Sequence, residues 1–296
     1  MMAEAGPYAQ RDLRLLKLEP HLHTLHSDGQ DSVAAMFEAC RSVGYDAVAL
    51  TDHNTLSGLP EAVEAADRLG LILVPGVEVT TFRGHAVVLG VRHVPEWRDL
   101  EARGINALAA EVRADGGVLS VAHAAALGSP ICSGCGWDWP IEPASVDLWE
   151  IFNSPGAEVE LDLALWRQLL VRGGITAPAA AGDVHSKAEA ARSRPATYVY
   201  ARERSCAGVL DALRQRRVVA AVGAPFEFWL EHDSLGSVAL LGEHVAEGSW
   251  KPRTSGSAQV ETIDVRDGRR ATYAIRRDAN SQLEAVSAPI WIETSH

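Results

Sequence analysis

Several things are scarce in these 296 residues, and each shortage excludes something. Basic charge falls short of acidic, with 27 Lys and Arg against 39 Asp and Glu, a formal net charge of -12. That balance excludes a general affinity for nucleic-acid polymers or for an anionic membrane surface. It leaves a small anionic substrate open, because bound cations reverse the local potential. Four cysteines in a chain of this length make no disulfide framework, so a reducing interior, the cytoplasm, is expected. Nowhere do about 18 consecutive apolar residues occur, so no membrane span is expected. The opening MMAEAGPYAQRDLRLLKLEP lacks the basic and then apolar layout of a signal peptide. No internal repeat or low-complexity tract is present, and nothing speaks to oligomeric state.

What is present is an alternation. Short apolar runs exchange with amphipathic stretches, which reads as a βα rhythm. A strand is expected near Arg14 to His23 and a helix from about Ser32 to Val43. The strand DAVALTDHN, the helix LPEAVEAADRLG, the strand LILVPGVEVTT and its neighbour HAVVLGV follow. A helix from about Trp97 to Asp115 is expected next, then GGVLSVAHA, VDLWEIFN, the helix EVELDLALWRQLLVRGG, ITAPAAAGDVHS, TYVYA and the helix CAGVLDALRQRR. From about Pro225 the pattern changes to short alternating runs and turn pairs such as Asp267-Gly268. Residues 1–224 are therefore expected to form one barrel-type domain, and residues 225–296 a small β-rich appendage.

The stretch PHLHTLHSDG, Pro20 to Gly29, holds three histidines and an aspartate. The bland reading is a polar loop. The other is a metal site, because in extended backbone His21 and His23 share a face while Leu22 packs behind them. The rest of the chain favours the second. Asp52 and His53, Glu78, His123, and Asp183 and His185 each sit at or just beyond the end of an apolar run, where the strands of a βα barrel bring catalytic groups to one rim. His85 is the exception, at a strand start.

In order, the motifs are HLHTLHSD, TDHN, GVEV followed by GHAVVLG, VAH, and GDVH. Together they resemble the PHP (polymerase and histidinol phosphatase) superfamily of metal-dependent hydrolases. TTFRGHAVVLG, the Trp-containing loop after His123, RPATYVYA and DALRQRRVV most resemble its carbaryl-hydrolase-type branch. The resemblance implies a distorted seven-stranded (β/α)7 TIM-like barrel, an α/β fold, holding two to three divalent ions. It implies that His21, His23 and Asp183 bind the first ion, with Glu78 as a bridge. Asp28, His53 and His185 would bind the second, and His85 and His123, with Glu78, the third. Two motifs depart from the pattern: Ala124 follows His123 where a proline is usual, and Gly182 precedes Asp183 where a serine is usual.

Imidazole and carboxylate together suit Zn, Mn or Fe. Ions about 3.5–4 Å apart share a water and lower its pKa toward neutrality. Direct attack by metal-bound hydroxide is expected, with Asp52 or His185 handling protons, and Asp52 orienting an imidazole or a water. The expected activity is a phosphoesterase on a small organic phosphate or nucleotide. Carbamate, ester or amide hydrolysis is the alternative, and a non-catalytic metal-binding module a third. His26 is assigned no ligand and reads as surface. Cys132 and Cys135 form a CxxC, which suggests zinc or redox chemistry, but no second pair exists to complete a structural zinc site, so they read as two loop thiols. Trp137, Trp139 and Trp149 line a substrate wall or the core. Arg83, Lys187, Arg192 and Arg194 flank the motifs, where they hold an anionic leaving group or are simply solvated.

Overall fold

In the computed structural model, which describes residues 6–128, 130–153, 158–234 and 236–294, the apolar runs up to Val222 are strands, most of them joined by helices. The order is β1 (Arg14–Glu19), α1 (Val33–Ser42), β2 (Ala47–Leu50), α2 (Leu59–Leu69), β3 (Ile72–Thr81), β4 (Gly84–Leu89), α3 (Leu100–Arg103), α4 (Ile105–Ala114) and β5 (Val118–Val121). Then follow β6 (Leu148–Phe152), α5 (Val159–Val171), β7 (Ala177–Ala180), α6 (Lys187–Ala190), β8 (Pro195–Ala201), α7 (Cys206–Arg214) and β9 (Val218–Val222).

Local chemistry explains the boundaries. Ser32 caps α1 by accepting a hydrogen bond from Ala35 N, and the helix buries Val33, Met36, Phe37 and Cys40, one face at helical spacing. The single helix expected from Trp97 to Asp115 is two, α3 and α4. Gly104 between them adopts φ 78, a left-handed conformation that stops the hydrogen-bond ladder and that glycine takes without steric cost. Strand β1 is also shorter than expected, ending at Glu19. Beyond it Leu22 makes a single parallel bridge to Val184.

β1, β2 and β3 pair in parallel. β4 runs antiparallel to β3 and to β5, so β5 regains the original direction, and β6 and β7 continue parallel to it. On the other side, β8 is antiparallel to β1 and β9 to β8. The result is a curled α/β sheet in which β4 and β8 run against their neighbours. No backbone ladder joins β7 to β8 among the described residues. The side chain of Thr197 bridges that seam instead, its Oγ1 accepting from Ala180 N at 2.9 Å and donating to Ala180 O at 2.8 Å.

After Val222 come β10 (Phe228–His232), β11 (Val238–Ala239), β12 (His244–Val245), β13 (Trp250–Thr254), β14 (Gln259–Asp264), β15 (Arg270–Arg277), β16 (Leu283–Ser287) and β17 (Ile290–Ile292). β10, β11 and β13 form a three-stranded sheet, while β16 pairs with β9 and so extends the large sheet into residues 225–296. Tyr273, Val286 and Trp291 share a core cluster with Leu163 and Trp166 of α5. No helix among the described residues is long and apolar enough to cross a membrane.

Candidate metal centre

The bridge between Leu22 and Val184 organises the site. Both side chains are buried, at 0% and 3% exposure, and His23 N donates to Val184 O at 2.9 Å. Because alternate side chains in extended backbone point to opposite faces, His21 and His23 turn to the rim together, and the hydrogen bond from His23 N to Val184 O brings Asp183 and His185 beside them. The reversed direction of β4 explains the exceptional position of His85. Its residue pairs with Thr80, so the start of β4 lies on the same rim as the end of β3. Asp183 and His123 hold φ of 46° and 31°, an uncommon left-handed backbone that turns the chain sharply at the ends of β7 and β5.

Glu78 lies at the centre, fully buried. Its Oε1 is 3.0 Å from His85 Nδ1, 3.2 Å from His123 Nε2 and 3.4 Å from His21 Nε2. Its Oε2 is 2.8 Å from His53 Nδ1 and 3.4 Å from His23 Nε2. Asp183 Oδ1 stands 3.1 Å from His23 Nε2 and 3.4 Å from His21 Nε2. Asp28 reaches His53 Nε2 at 3.3 Å and His185 Nε2 at 3.4 Å.

Five overlapping groups have ligand atoms within 4.8 Å of one another: His21, His23 and Asp183; His23, Asp28, His53 and His185; His21, Glu78 and His123; His53, Glu78 and His85; and His85, His123 and Cys135. All nine side chains singled out as ligands from the sequence fall in these groups. Cys135 is an addition that the sequence reading did not make.

The residues fit divalent cations on two counts. His21 Nε2, both ring nitrogens of His23, and Glu78 Oε2 are buried without a hydrogen-bond partner among the described residues, a costly state that a cation relieves. The electrostatics agree. Burial alone lowers the histidine pKa values, yet His53 is pushed up to about 10 by Asp28 and Glu78, and His123 to about 9 by Glu78 and Asp183. Burial raises Asp183 and Glu78, but the surrounding imidazoles, His21 foremost, hold both below the carboxylate range. Protons on the rings thus balance the carboxylates where cations would otherwise do so. His23 goes the other way, lowered by burial, which leaves it neutral, as a metal ligand must be.

Several supporting residues escaped the sequence reading. Glu150 Oε1 lies 3.0 Å from His21 Nδ1, and its Oε2 accepts from His123 N at 3.2 Å. Glu19 accepts from Gly182 N at 2.8 Å, and burial pushes it up to about 7. A Cβ at Gly182 would lie 2.6 Å from Glu19 Oε2 and 2.7 Å from Ser193 Oγ, so the residue that replaces the usual serine makes room for this carboxylate. Thr80 Oγ1 lies 2.6 Å from His53 Nδ1. Glu19 ends β1 as the chosen residues end their apolar runs, and Glu150 is a lone carboxylate inside the apolar strand β6, so both positions carried a signal; Thr80 carried none.

Asp52 is buried, but its carboxylate accepts from Thr24 N and Thr24 Oγ1 at 2.8 Å each and from Ser27 Oγ at 2.6 Å. These bonds hold the loop that carries Asp28. Cys132 and Cys135 are not two separate thiols but a disulfide. Trp139 and Trp149 are buried and Trp137 half-buried. Arg83 pairs with Asp138 and Glu101 and stacks on Trp139, and Lys187 pairs with Asp31. Arg192 and Arg194 are exposed beside a cavity that reaches Gly182 and Val184. His26 sits outside the cluster, 2.8 Å from Ser57 Oγ.

Residues 19–114 match the PHP domain. Over 75 residues the chain is 37% identical to the phosphoribosyl 1,2-cyclic phosphate 1,2-diphosphodiesterase of Eggerthella lenta, covering 24% of this chain and 29% of that protein. Over 65 residues it is 37% identical to the 5'-3' exoribonuclease of Haemophilus influenzae, covering 22% of this chain and 24% of that one. The chain thus spans less than a third of the length of these relatives. The crystal structure of a two-domain protein from Bacteroides vulgatus, containing a predicted PHP-like metal-dependent phosphoesterase, superposes with a TM-score of 0.56 at 16% identity, covering 94% of this chain and 87% of that one. That likeness concerns the fold. Residues 19–114, the segment similar to the PHP domain, contribute six of the nine clustered side chains.

Proposed function

We propose that the chain is a cytoplasmic metal-dependent hydrolase that holds two to three divalent ions, Zn, Mn or Fe, and acts as a phosphoesterase on a small organic phosphate or nucleotide. The observation that carries this reading is the set of buried, unpartnered polar atoms of His21, His23 and Glu78, all facing the same carboxylate-rich centre. Ions bound there lower the pKa of a water toward neutrality and offset charge that develops on the substrate oxygen. The protein's part is to hold and expose. Glu78 and Asp183 supply negative charge from the buried side. Asp28, His53 and His185, with side chains 55%, 24% and 31% exposed, form the open rim over which a substrate approaches. His185 is the most open imidazole of the cluster and is placed to pass a proton to bulk water.

A second reading, carbamate, ester or amide hydrolysis, has its own support. A cavity of about 410 Å³ is lined by Asn54, Thr80, Phe82, Trp97, Leu100 and Trp139 among others. Thr80 touches His53, so this largely apolar slot adjoins the rim and suits an aromatic leaving group. One preparation of the Mn- or Zn-loaded protein should be assayed on p-nitrophenyl phosphate, a nucleoside monophosphate and a naphthyl carbamate, with His53→Ala as the blank. Phosphate turnover that is lost in the variant supports the first reading, and carbamate turnover alone supports the second. Equal rates in variant and parent, or less than one ion per chain, discard both.

A further inference from the structure

The disulfide between Cys132 and Cys135 lies in a loop fastened to the β3–β4 hairpin. Gly134 has φ +80, and a Cβ there would stand 1.9 Å from Thr81 O, so only a glycine lets the loop come this close. Asp138 N donates to Arg83 O at 2.7 Å, and Trp139 Nε1 to Thr81 Oγ1 at 3.0 Å. The carbonyl of Ser133 is 3.2 Å from His85 Nε2, and that of Cys135 is 3.3 Å from His123 Nδ1. These contacts place Cys135 Sγ and one ring nitrogen each of His85 and His123 within 4.8 Å of one another. Both cysteines are half-buried, within reach of a small dithiol.

We propose that Cys135 is a redox-gated ligand: its thiolate binds a divalent ion together with His85 and His123 when the disulfide is open, and is withheld when it is closed. This rests on the reading of His85 and His123 as metal ligands. A thiolate is a strong, soft ligand for Zn or Co, whereas a disulfide sulfur carries no charge and binds weakly. Opening requires a dithiol reductant. It transfers two electrons and two protons to the S–S bond, leaving two thiols on the protein and a disulfide on the reductant. Binding of the ion then releases the Cys135 thiol proton to water. The exchange run backwards with a disulfide oxidant expels the ion and closes the bond. The other two cysteines cannot substitute, as Cys40 lies on the buried face of α1 and Cys206 starts α7.

The full-length protein should be stripped of metal, loaded with Co(II) alone, and compared after treatment with dithiothreitol and with oxidised glutathione. The reduced parent is expected to show a near-ultraviolet sulfur-to-cobalt charge-transfer band and to hold one more ion per chain than the oxidised parent. Cys132→Ser, whose Cys135 cannot close an internal disulfide, should show the band without prior reduction, and Cys135→Ser should lack it under both treatments. Absence of the band in reduced parent and in Cys132→Ser, or its persistence in Cys135→Ser, overturns the proposal. Equal ion content in both redox states without the band sinks the gating alone, while no bound ion in any state sinks the reading of the whole cluster.

Discussion

Glu150 Oε1 stands 3.0 Å from Nδ1 of His21, on a ring whose Nε2 faces Glu78 and Asp183 at 3.4 Å each. A carboxylate on one nitrogen holds the proton there and leaves the other nitrogen bare for a cation. Glu150 Oε2 is already occupied by His123 N and by Asn153 Nδ2. Glu150→Gln must therefore turn an NH2 group toward one of these donors. Divalent-ion affinity is expected to fall roughly 10–100-fold, read by competition with a chelating dye. Unchanged affinity would mean that the carboxylate only supports the fold.

Asp28 and His26 are two residues apart and should behave oppositely. Asp28 lies 3.3 Å from His53 Nε2 and 3.4 Å from His185 Nε2, and its hydrogen bonds to His185 and His53 hold its carboxyl well below the usual range. His26 leans on Ser57 and on Glu61 instead. Asp28→Asn is expected to lower kcat/KM on the best substrate by about 100-fold or more, roughly 2.7 kcal/mol of barrier, while His26→Ala stays within a few fold. Steady-state kinetics on metal-loaded protein decides, and the reverse ranking would refute the placement of Asp28 at the rim.

Asp162 sets a pH dependence of stability. Burial pushes it up to about 7, against the hydrogen bonds it accepts from Ala125 N and Trp149 Nε1. Unfolded, the same group titrates near 3.9. Between these values the folded state binds more protons than the unfolded one, so stability falls as pH rises from about 4 to 7 and stays at the lower level above that. Asp162→Asn keeps an acceptor and removes the charge. It should gain about 1–3 kcal/mol over the parent at pH 8 and nothing at pH 4, as measured by urea unfolding at both values. A difference independent of pH would count against burial as the cause.

The loop over His85 depends on Gly134, where a Cβ would collide with Thr81 O. Gly134→Ala is expected to cost about 1–3 kcal/mol and to expose the segment around Cys132 to proteolysis while the rest of the chain stays resistant. Limited proteolysis with mass mapping checks this, and an unaltered cleavage pattern would show that the loop is held elsewhere.

Removing the ions should also weaken the fold. Glu78 and the two N-terminal histidines are buried with unpartnered atoms, so chelation strands polar groups in the core. The melting temperature of chelator-treated protein should fall by several degrees and return when Mn or Zn is added back. No shift would argue against ions at the buried positions.

Much of this was legible in the chain because it is local. Apolar runs and amphipathic spacing mark the strands from β1 to β8 and the longer helices, since side-chain period follows backbone geometry. The two-residue spacing of His21 and His23 already implies a shared face. Gly104, read inside one long helix, shows the limit: a glycine inside an amphipathic pattern is tolerated or breaks the helix according to its surroundings.

What tertiary structure alone decided is where distant segments meet. The chain by itself determined which residue types stand at strand ends, because that depends on neighbours in sequence. It did not determine that β4 runs backwards and delivers His85 to the rim, that the sheet curls without a ladder between β7 and β8, or that Asp52 serves Thr24 and Ser27. Nor did it show Glu150 behind His21, or Cys135 beside His85 and His123. Each of these is a contact between residues many positions apart, set by strand direction and packing, and nothing in local sequence encodes it.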